Sequence, residues 1–309
     1  MKLVRHIPLN SVDANDCVMT IGNFDGVHKG HHAVLESVVK EAKSLGLPAV
    51  VMAFEPQPLE YFQKDKAPAR LSTAREKIQL LSDAGMECVY LFRFGQRLAN
   101  MPAEEFVEIL YARLKVKHLI VGDDFCFGKG RTGNFQLLQK EALEHGFTVR
   151  NTAPIKVSSE RVSSTLIRQS LAAGNFSQTE QYLGRAYTMS GRVGHGDKRG
   201  REIGFPTANI RVKNRKSPLK GVFVVTMADE MGARFNGVAN VGTRPTVDAS
   251  TKVLLEVHLF DFEGDLYQQR VHITFLKKLR DELKFSGLDE LKKQINEDCK
   301  QAKLFLTNT

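Results

Sequence analysis

The sequence predicts an α/β domain built on a parallel sheet, followed by a smaller β-rich domain that ends in a helix. Three observations support this fold class. Short apolar runs alternate with amphipathic stretches in the first half, turn-bounded apolar runs fill the second half, and apolar residues recur at helical spacing near the end. At 309 residues the chain exceeds the length at which one core usually stops growing, so two domains are expected.

The first half has the pattern of repeated βα units around a doubly wound parallel sheet. Four apolar runs are predicted to be buried strands, and the amphipathic stretches between them are predicted to be helices. The predicted strands are 18–21, 49–54, 88–92 and 118–121, and the predicted helices are 32–44, 74–84, 104–114 and 135–145. Further helical pieces over 164–172 and 179–183 close this part, so the first domain is expected to span residues 1–184.

From Thr188 onward the pattern changes to short strands separated by turns. The predicted strands are 221–225, 236–241, 254–259 and 271–275, and Asp261 to Asp265 is predicted to be a hairpin turn. Such a succession is typical of an antiparallel barrel or sandwich. Apolar residues at helical spacing over 288–306 predict a final helix that packs on this sheet. The second domain is therefore expected to span residues 185–309.

Composition excludes several classes of protein. A hydrophobic fraction of 42% and a charged fraction of 26% match a globular protein rather than a disordered or fibrous one. No apolar stretch approaches the ~20 residues of a membrane span, and the N-terminal residues lack the apolar segment of a signal peptide. We therefore expect a cytoplasmic location and no membrane partner. The four cysteines form no CxxC pair, which argues against a zinc site and against a disulfide framework.

The formal net charge of +9 is unevenly distributed. Nine of the 44 basic side chains lie between Arg192 and Lys220. Such a cluster suits a nucleotide polyphosphate and a nucleic acid equally well, because both are polyanions. Charge alone therefore does not separate these two kinds of partner.

The segment from Gly22 to His31 has the form of a phosphate-binding turn. It follows a predicted strand and opens a predicted helix, so backbone amides and the positive end of the helix dipole favour phosphate there. Its HxGH pattern, His28 to His31, is used by enzymes that attack the α-phosphate of ATP, where imidazole donors stabilise the charge of the transition state. Gly30 leaves room for a nucleotide. A polar helix start with surface histidines is the alternative.

Two further segments are candidates for the same site. Residues 162–168 begin a helix and offer hydroxyls, amides and a guanidinium suited to the β- and γ-phosphates. Residues 122–128 follow a predicted strand at the sheet edge where open α/β sheets bind ligands. Without the other motifs, residues 162–168 are only the capped start of a helix, and residues 122–128 can equally be an ordinary loop.

A second nucleotide site is indicated by Gly204-Phe205-Pro206-Thr207-Ala208-Asn209. The proline fixes the backbone before a short strand, and period-two alternation then places Thr207 and Asn209 on one strand face. A hydroxyl and an amide in this position can complete a Mg²⁺ shell together with phosphate oxygens and water. An ordinary turn and strand is the alternative for this hexapeptide alone.

Glu256 interrupts an apolar strand. It shares a face with His258, whereas Leu255 and Val257 face the other way. An unpaired carboxylate is costly to bury, so Glu256 lies either on a solvated face or in a polar cleft. In a cleft it can act as the general base that accepts a proton from a substrate hydroxyl attacking the γ-phosphate of ATP. The spacing alone leaves both positions open.

Four motifs of the first half occur in an order that resembles a known module. The HxGH turn, Phe54-Glu55-Pro56-Gln57-Pro58, the GDDF loop at 122–125 and the SSTxIR helix at 163–168 are similar to the adenylyltransferase module of bacterial bifunctional riboflavin kinase/FAD synthetases. The similarity covers about residues 15–185. It implies a Rossmann-like fold of the HxGH nucleotidyltransferase type, which transfers AMP from ATP to FMN and releases pyrophosphate.

This resemblance implies roles for individual residues. His28 and His31 are expected to contact the ATP phosphates as catalytic residues. The implied nucleotide-binding residues are Gly22, Asn23, Phe24, Asp25, Gly30, Asp124, Arg161, Ser164, Thr165 and Arg168. The implied flavin side consists of Phe54, Pro56, Pro58 and Phe62, for which core packing is the alternative.

The second half resembles the riboflavin kinase module of the same family over residues 186–306. The matching elements are residues 204–209, residues 237–246, Glu256 and residues 280–285. The resemblance implies a small Greek-key barrel that phosphorylates riboflavin to FMN with ATP. Val247 departs from the family pattern, in which an aromatic residue commonly follows Arg-Pro-Thr.

Roles in this module also follow from the resemblance. Glu256 is implied to be the catalytic base toward the riboflavin 5′-hydroxyl. The other implied residues are Gly204 and Pro206 at the nucleotide, Thr207 and Asn209 at Mg²⁺, and Arg280 and Phe285 beside the flavin.

The sequence therefore predicts a bifunctional enzyme of flavin cofactor synthesis. Riboflavin and ATP are expected to give FMN and ADP, and FMN and ATP to give FAD and pyrophosphate, both with Mg²⁺. One alternative is an RNA-interacting protein, since HxGH also occurs in some aminoacyl-tRNA synthetases, and another is a single nucleotidyltransferase with a regulatory barrel. The sequence has neither a KMSKS-like loop nor an RNP-like aromatic series, so no nucleic-acid partner is expected.

Overall fold

The computed structural model describes residues 1–7, 15–153, 155–157, 160–196, 200, 203–212, 216–245 and 251–308. The chain forms two compact units, one of Met1–Pro68 with Ala74–Ser163 and the other of Ala69–Thr73 with Ser164–Thr309. The functional boundary expected after residue 184 stays a prediction. Part of the basic cluster and of the second module lies outside the described residues, namely Lys198, Arg199, Arg201, Lys213, Arg215, Thr246 and Val247.

Six parallel strands form the sheet of the first unit, which confirms the predicted fold class. They are β1 (Lys2–Val4), β2 (Cys17–Ile21), β3 (Ala49–Phe54), β4 (Cys88–Phe92), β5 (Val116–Gly122) and β6 (Thr148–Thr152), in the order β1-β4-β3-β2-β5-β6. β2 and β4 are buried at every residue, as expected for a parallel sheet covered on both faces. The sequence pattern does not predict β1 and β6, because these edge strands are largely exposed and carry no long apolar run.

Helices cover both faces of this sheet. They are α1 (Lys29–Leu45), α2 (Pro58–Gln63), α3 (Ala74–Asp83), α4 (Gln96–Ala99), α5 (Ala103–Glu108), which a π-helical turn continues over Ile109–Arg113, and α6 (Phe135–His145). Leu35 of α1 and Leu81 of α3 pack with Val51 on one face. Val107 and Leu138 pack with Met19 on the other. A small antiparallel pair, β7 (Lys156–Val157) and β8 (Glu160–Arg161), ends the unit.

The strand order reverses between β2 and β5. From β2 the chain proceeds outward to β3 and β4, and it then returns across the sheet to β5. At such a point the loops after the two strands diverge, which leaves the crevice where open α/β sheets bind ligands. The segment from Gly22 to His31 follows β2, and Asp123 and Asp124 follow β5. The fold therefore places both motifs at this crevice.

The second unit contains a closed antiparallel barrel of six strands. They are β9 (Thr188–Gly194), β10 (Thr207–Arg211), β11 (Gly221–Asp229), β12 (Arg234–Pro245), β13 (Thr251–Leu259) and β14 (Arg270–Arg280), in the order β10-β13-β12-β11-β14-β9. β10 lies beside β13 rather than beside its successor β11, which is the expected Greek-key arrangement. Phe223, Leu255 and Val257 are fully buried in the barrel unit.

One predicted turn is wrong. Asp261 to Asp265 was expected to join a hairpin, but β13 pairs with β10 and β12, whereas β14 pairs with β9 and β11. The segment therefore connects strands that are not neighbours. Its glycine and aspartates indicate a change of direction, but pairing of the flanking strands depends on how the barrel closes.

Three helices accompany the barrel, namely α7 (Ser164–Ala172), α8 (Phe176–Leu183) and α9 (Leu288–Thr307). Phe176 of α8 packs edge-on against Phe223, with 5.9 Å between ring centroids. Ala302 of α9 packs with Val222 and Val224 of β11, as the predicted helical spacing requires. In the described parts of the chain, every helix is too short or too polar to cross a membrane.

An ion pair fastens α9 to the barrel. Nε of Arg280 donates to Oδ1 of Asp298 at 2.9 Å, and Nη2 donates to Oδ2 at 2.7 Å. Nε2 of Gln294 also donates to Oδ1, at 3.0 Å. The two charged side chains are only 18% and 4% exposed, so both charges are largely removed from water. Removing either member of such a buried ion pair leaves an uncompensated charge, which strongly destabilises the folded state.

Replacing Asp298 tests this connection. Asp298→Ala is expected to lower the free energy of unfolding of the second unit by about 3 kcal/mol, because it leaves the Arg280 guanidinium without its counter-charge. Urea denaturation measures the change. Glu297→Ala, at an exposed position on the same helix, is the control and should change stability by less than about 0.5 kcal/mol. Equal losses of unfolding free energy in the two variants would contradict the conclusion that the Arg280–Asp298 ion pair holds α9 to the barrel.

Candidate active sites

The loop between β2 and α1 turns sharply before the helix begins. Phe24 and Val27 have positive φ angles of 47° and 39°, and Gly26 has a φ of 80°. Phe24, Asp25 and Val27 are nevertheless buried, so the surrounding packing holds the loop in this conformation. The first glycine of the motif is also constrained, since a Cβ on Gly22 would lie 3.1 Å from the ring of Phe24.

His28 and His31 cap α1 reciprocally. Nδ1 of His28 accepts from the backbone N of His31 at 3.3 Å, and Nδ1 of His31 accepts from the backbone N of His28 at 3.4 Å. The two rings stack with their centroids 3.7 Å apart. Because each Nδ1 is an acceptor, the neutral rings carry their protons on Nε2. Nε2 is therefore the donor atom that each ring can offer to phosphate.

Gly30 is enclosed by the site on two sides. A Cβ there would lie 3.1 Å from Nδ1 of His28 and 3.4 Å from the carbonyl oxygen of Val162. A side chain at position 30 would therefore displace the histidine ring. Asn23, in contrast, is exposed at the start of the loop.

Arg161 is held beside the end of β5 by two carboxylates. Its Nη2 donates to Oδ1 of Asp123 at 2.6 Å, and its Nη1 donates to Oδ2 at 3.1 Å. Oδ2 of Asp124 lies 3.4 Å from the same Nη2. The structure thus brings together two predicted nucleotide residues, Arg161 and Asp124. Asp123 was not predicted as a site residue, although it belongs to the same GDDF loop as the predicted Asp124.

The predicted triphosphate-binding helix belongs to the second compact unit. Ser164 and Thr165 open α7, and Nε of Arg168 donates to the carbonyl oxygen of Ala69 in the same unit. His28, Asp124 and the other predicted nucleotide residues up to Arg161 belong to the first unit. The assignment of Ser164, Thr165 and Arg168 to the triphosphate stays a prediction.

The four residues predicted on the flavin side lie together around the end of β3. Phe54 is the last residue of β3, Pro56 follows it, Pro58 begins α2, and Phe62 lies on α2. Phe62 is 61% exposed. The alternative role for this residue, packing in the hydrophobic core, therefore does not apply.

Two aromatic residues that the sequence reasoning missed join this group. The ring of Phe94 lies 5.8 Å from that of Phe54 and 5.7 Å from that of Phe62, and Tyr61 lies 5.6 Å from Phe94. Phe94 follows β4, which is the neighbour of β3, so it reaches the same edge of the sheet. Its position after a predicted strand was the signal available in the sequence.

A cleft of about 910 Å³ opens in the second unit, a volume that suits a small-molecule ligand. Its lining comes from described residues before β10, from β10, β12, β13 and the end of β14, from Val222 of β11, and from the segment after β14 and α9. Five predicted residues line it, namely Thr207, Asn209, Glu256, Arg280 and Phe285. Gly204 and Pro206 lie in the turn that leads into β10.

Glu256 lies in a row of polar residues across three strands. Its register partners are Asn209 on β10 and Asn240 on β12. Directly paired residues of antiparallel strands share a face, and the flanking Leu255 and Val257 are fully buried on the opposite one. Glu256 is therefore in the cleft, the second of the two positions that the sequence left open. Asn240 was missed as a site residue, although its motif was recognised.

Gly196 and Gly200, which precede β10 in the chain, approach the predicted metal ligands Thr207 and Asn209 closely. A Cβ on Gly196 would overlap the side-chain amide of Asn209, and a Cβ on Gly200 would lie 3.0 Å from Oγ1 of Thr207. Bare backbone thus faces both side chains. Oxygen donors are what Mg²⁺ requires, so the hydroxyl of Thr207 and the amide oxygen of Asn209 form a donor pair that fits this ion.

Arg280 contributes to the cleft wall while bound to α9. Its guanidinium carbon lies 5.8 Å from the ring centroid of Phe285, and Nη1 donates to the carbonyl oxygen of Asp281 at 3.0 Å. Its remaining bonds go to Asp298. Cys299 lines the same wall, where burial and the charge of Asp298 raise the pKa of its thiol to about 11.

Comparison with known proteins finds relatives along nearly the whole chain. The family model described as FAD synthetase matches residues 10–166, and the model described as riboflavin kinase matches residues 183–306. Proteins named bifunctional riboflavin kinase/FMN adenylyltransferase are 48% identical in Escherichia coli K12, over 99% of this chain and 98% of the relative, and 46% identical in Pseudomonas fluorescens, over 98% and 97%. The relative in Haemophilus influenzae is 44% identical over 100% of both chains.

A solved structure is also similar. The crystal structure of a macrolide-efflux protein from Streptococcus pneumoniae is 30% identical, with a TM-score of 0.77, and covers 96% of this chain and 97% of that one.

The Cys299 thiol is expected to react slowly with alkylating reagents in the folded chain. Only the thiolate reacts, so a pKa of about 11 leaves about 1 thiol in 100 ionised at pH 9, and the rate should rise about tenfold per pH unit below the pKa. Iodoacetamide labelling between pH 7 and 10, read by mass spectrometry of the Cys299 peptide, measures this. Equal labelling rates at pH 8 in the folded and the urea-unfolded chain would contradict the raised pKa.

Proposed function

The chain belongs to the family of bifunctional riboflavin kinase/FMN adenylyltransferases, and we propose that its two reactions use the two sites described above. Riboflavin and ATP give FMN and ADP, and FMN and ATP then give FAD and pyrophosphate. We assign the first reaction to the cleft of the second unit and the second to the crevice of the first. The observation that carries this assignment is the row in which Glu256 stands between Asn209 and Asn240, away from the HxGH turn in the sequence.

In the kinase reaction the nucleophile is a hydroxyl, which gains from a base. Glu256 is the only carboxylate among the three paired residues of the polar row, and it lies in the cleft beside the oxygen donors of Thr207 and Asn209. We propose that it accepts the proton of the riboflavin 5′-hydroxyl as that oxygen attacks the γ-phosphate. Asn240, its neighbour on β12, is suited to orient the carboxylate.

Thr207 and Asn209 would hold Mg²⁺ through their side-chain oxygens. Bound there, the ion would supply positive charge to the phosphate oxygens of ATP. The close approach of Gly196 and Gly200 supports this assignment, because a side chain at either position would crowd the proposed metal ligands. Gly204 and Pro206 would contact the nucleotide through the turn, and Arg280 and Phe285 would border the flavin.

In the adenylylation reaction the nucleophile is the phosphate of FMN, which is already an anion. The reaction therefore proceeds by positioning and charge stabilisation and requires no dedicated base. We propose that His28 and His31 donate from Nε2 to the oxygens of the α-phosphate, where negative charge develops. The reciprocal caps on their Nδ1 atoms support this role, because they fix the tautomer that keeps the donor on Nε2.

The remaining residues of the adenylylation site are proposed as follows. Gly22, Asn23, Phe24, Asp25 and Gly30 shape the loop around the nucleotide, and Arg161 and Asp124 lie at the end of the neighbouring strand. Ser164, Thr165 and Arg168 are proposed to bind the triphosphate. The aromatic group of Phe54, Phe62 and Phe94, with Pro56 and Pro58, is suited to the planar flavin ring.

The proposed small-molecule partners are riboflavin, FMN, FAD and ATP. We propose no nucleic-acid or membrane partner, and we assign the positive charge of the segment from Arg192 to Lys220 to attraction of the ATP polyphosphate. A cytoplasmic location is proposed because both reactions consume ATP.

Product analysis tests the function directly. Purified protein with riboflavin, ATP and Mg²⁺ is expected to form FMN and then FAD, separated by chromatography and detected by flavin absorbance. Removal of Mg²⁺ with EDTA should stop both conversions. A folded protein that forms neither flavin nucleotide would overturn the assignment.

Glu256→Gln is expected to separate the two activities. The amide preserves the shape of the side chain but cannot act as a base, so kcat for FMN formation should fall about 10²- to 10⁴-fold. Adenylylation of supplied FMN should stay within about twofold of the wild type. Glu263→Gln, at an exposed position after β13, is the control. Unchanged FMN formation by the Glu256 variant would exclude the proposed base.

His28→Asn is expected to have the reciprocal effect. Asparagine is among the best N-cap residues, so the start of α1 is preserved while the Nε2 donor is lost. FAD formation from FMN should fall about 10²- to 10³-fold, whereas riboflavin phosphorylation should be unaffected. His118→Asn, near the opposite end of the sheet on β5, is the control. Loss of both activities in the folded His28 variant would contradict independent sites.

A further inference from the structure

His258 connects the strand of the proposed base to the turn before the proposed metal ligands. It lies on β13, two residues after Glu256 and on the same face, and its register partner on β10 is Thr207. Its Nδ1 lies 2.9 Å from the carbonyl oxygen of Pro206. A carbonyl oxygen only accepts, so Nδ1 carries the proton and donates it to this bond. Neither the composition nor the motifs of the sequence indicate this contact.

The turn before β10 contains Pro206, which has no backbone N–H. Antiparallel pairing of β10 with β13 starts at Thr207, and proline cannot extend the ladder by donating from the preceding position. On its other side, the turn is closed by the backbone N of Phe205, which donates to the carbonyl oxygen of Gly200 at 2.7 Å. The His258 side chain thus ties the turn to β13 one residue beyond the strand pairing.

Aromatic neighbours hold the imidazole in place. The ring of Phe205 meets that of His258 edge-on, with 5.4 Å between centroids and an interplanar angle of 79°. Phe260, the first residue after β13, packs edge-on at 6.0 Å. Both Phe205 and His258 line the cleft that contains Glu256. The bond to Pro206 is therefore part of the wall of the site.

We propose that His258 is a positioning residue for phosphoryl transfer, whose Nδ1–H bond to Pro206 holds Thr207 at its paired position opposite β13, near the Glu256 carboxylate. The inference rests on the kinase site proposed above. His258 exchanges no proton in this role, because the donated bond alone sets the position of the turn. Its loss should weaken binding of magnesium–ATP in the kinase reaction more than it slows the chemical step.

Substituting His258 by asparagine or by glutamine distinguishes the role of Nδ1 from that of Nε2. The side-chain amide nitrogen of asparagine lies near the place of Nδ1, whereas that of glutamine lies near the place of Nε2. His258→Gln is expected to raise KM for magnesium–ATP in riboflavin phosphorylation by about fivefold to tenfold, the effect of one hydrogen bond. His258→Asn should stay within about twofold of the wild type. In both variants kcat should change by less than about threefold.

Hydrogen exchange supplies a readout that involves neither metal nor activity. In the protein without nucleotide or Mg²⁺, peptides that cover residues 203–212 are expected to exchange faster in His258→Gln than in the wild type or in His258→Asn. Peptides from β11 should be unchanged. His272, at an exposed position on β14, provides the matched control, and His272→Asn and His272→Gln should alter neither KM nor exchange.

Three outcomes would overturn the proposal. Equal KM values for His258→Asn and His258→Gln would show that the Nδ1 bond is not the determinant. A loss of kcat with unchanged KM would place His258 in the chemical step, and unchanged exchange over 203–212 would show that the turn does not depend on it. A wild-type protein that forms no FMN would instead overturn the kinase assignment, and the exchange experiment would still report on the bond.

Discussion

Alternation along β13 is the constraint on which the proposed kinase site depends. Leu255 and Val257 are buried in the barrel, which fixes the strand, and the intervening Glu256 and His258 are thereby directed into the cleft. A shift of the register by one residue would exchange the two sets and bury the carboxylate. The packing of apolar side chains therefore determines where the polar chemistry can occur, and neighbouring strands add Asn209 and Asn240 to the same row.

The two proposed sites would bind the same nucleotide in different ways. In the first, a loop with positive φ angles leads into α1, so that backbone amides and two histidines gather at the start of a helix. In the second, oxygen-bearing side chains stand on paired strands, and glycines bring bare backbone against them. The difference suits the two nucleophiles. An anionic phosphate needs donors around the centre it attacks, whereas a hydroxyl also needs a base.

Local pattern predicted some elements well and others poorly. β3 and α6 begin and end where the apolar periodicity does, and α1 begins three residues earlier than its predicted start because His28 caps it. Short edge strands such as β1 and β6 were missed, since exposed residues carry no periodic signal. The turn at Asp261 to Asp265 was correctly recognised as a break but wrongly assigned to a hairpin, because strand pairing is not a local property.

The sequence by itself determined the fold class, the two nucleotide motifs and the alternation that separates Glu256 from its apolar neighbours. These depend on residue type and on positions close along the chain. Only the tertiary structure decided which side chains far apart in the sequence contact each other. These contacts are the ion pairs Asp123–Arg161 and Arg280–Asp298, the ring contact between Phe54 and Phe94, and the hydrogen bond from His258 to Pro206. Those partners lie far apart in the chain, and they meet because sheet order and barrel closure bring particular strand ends and loops together.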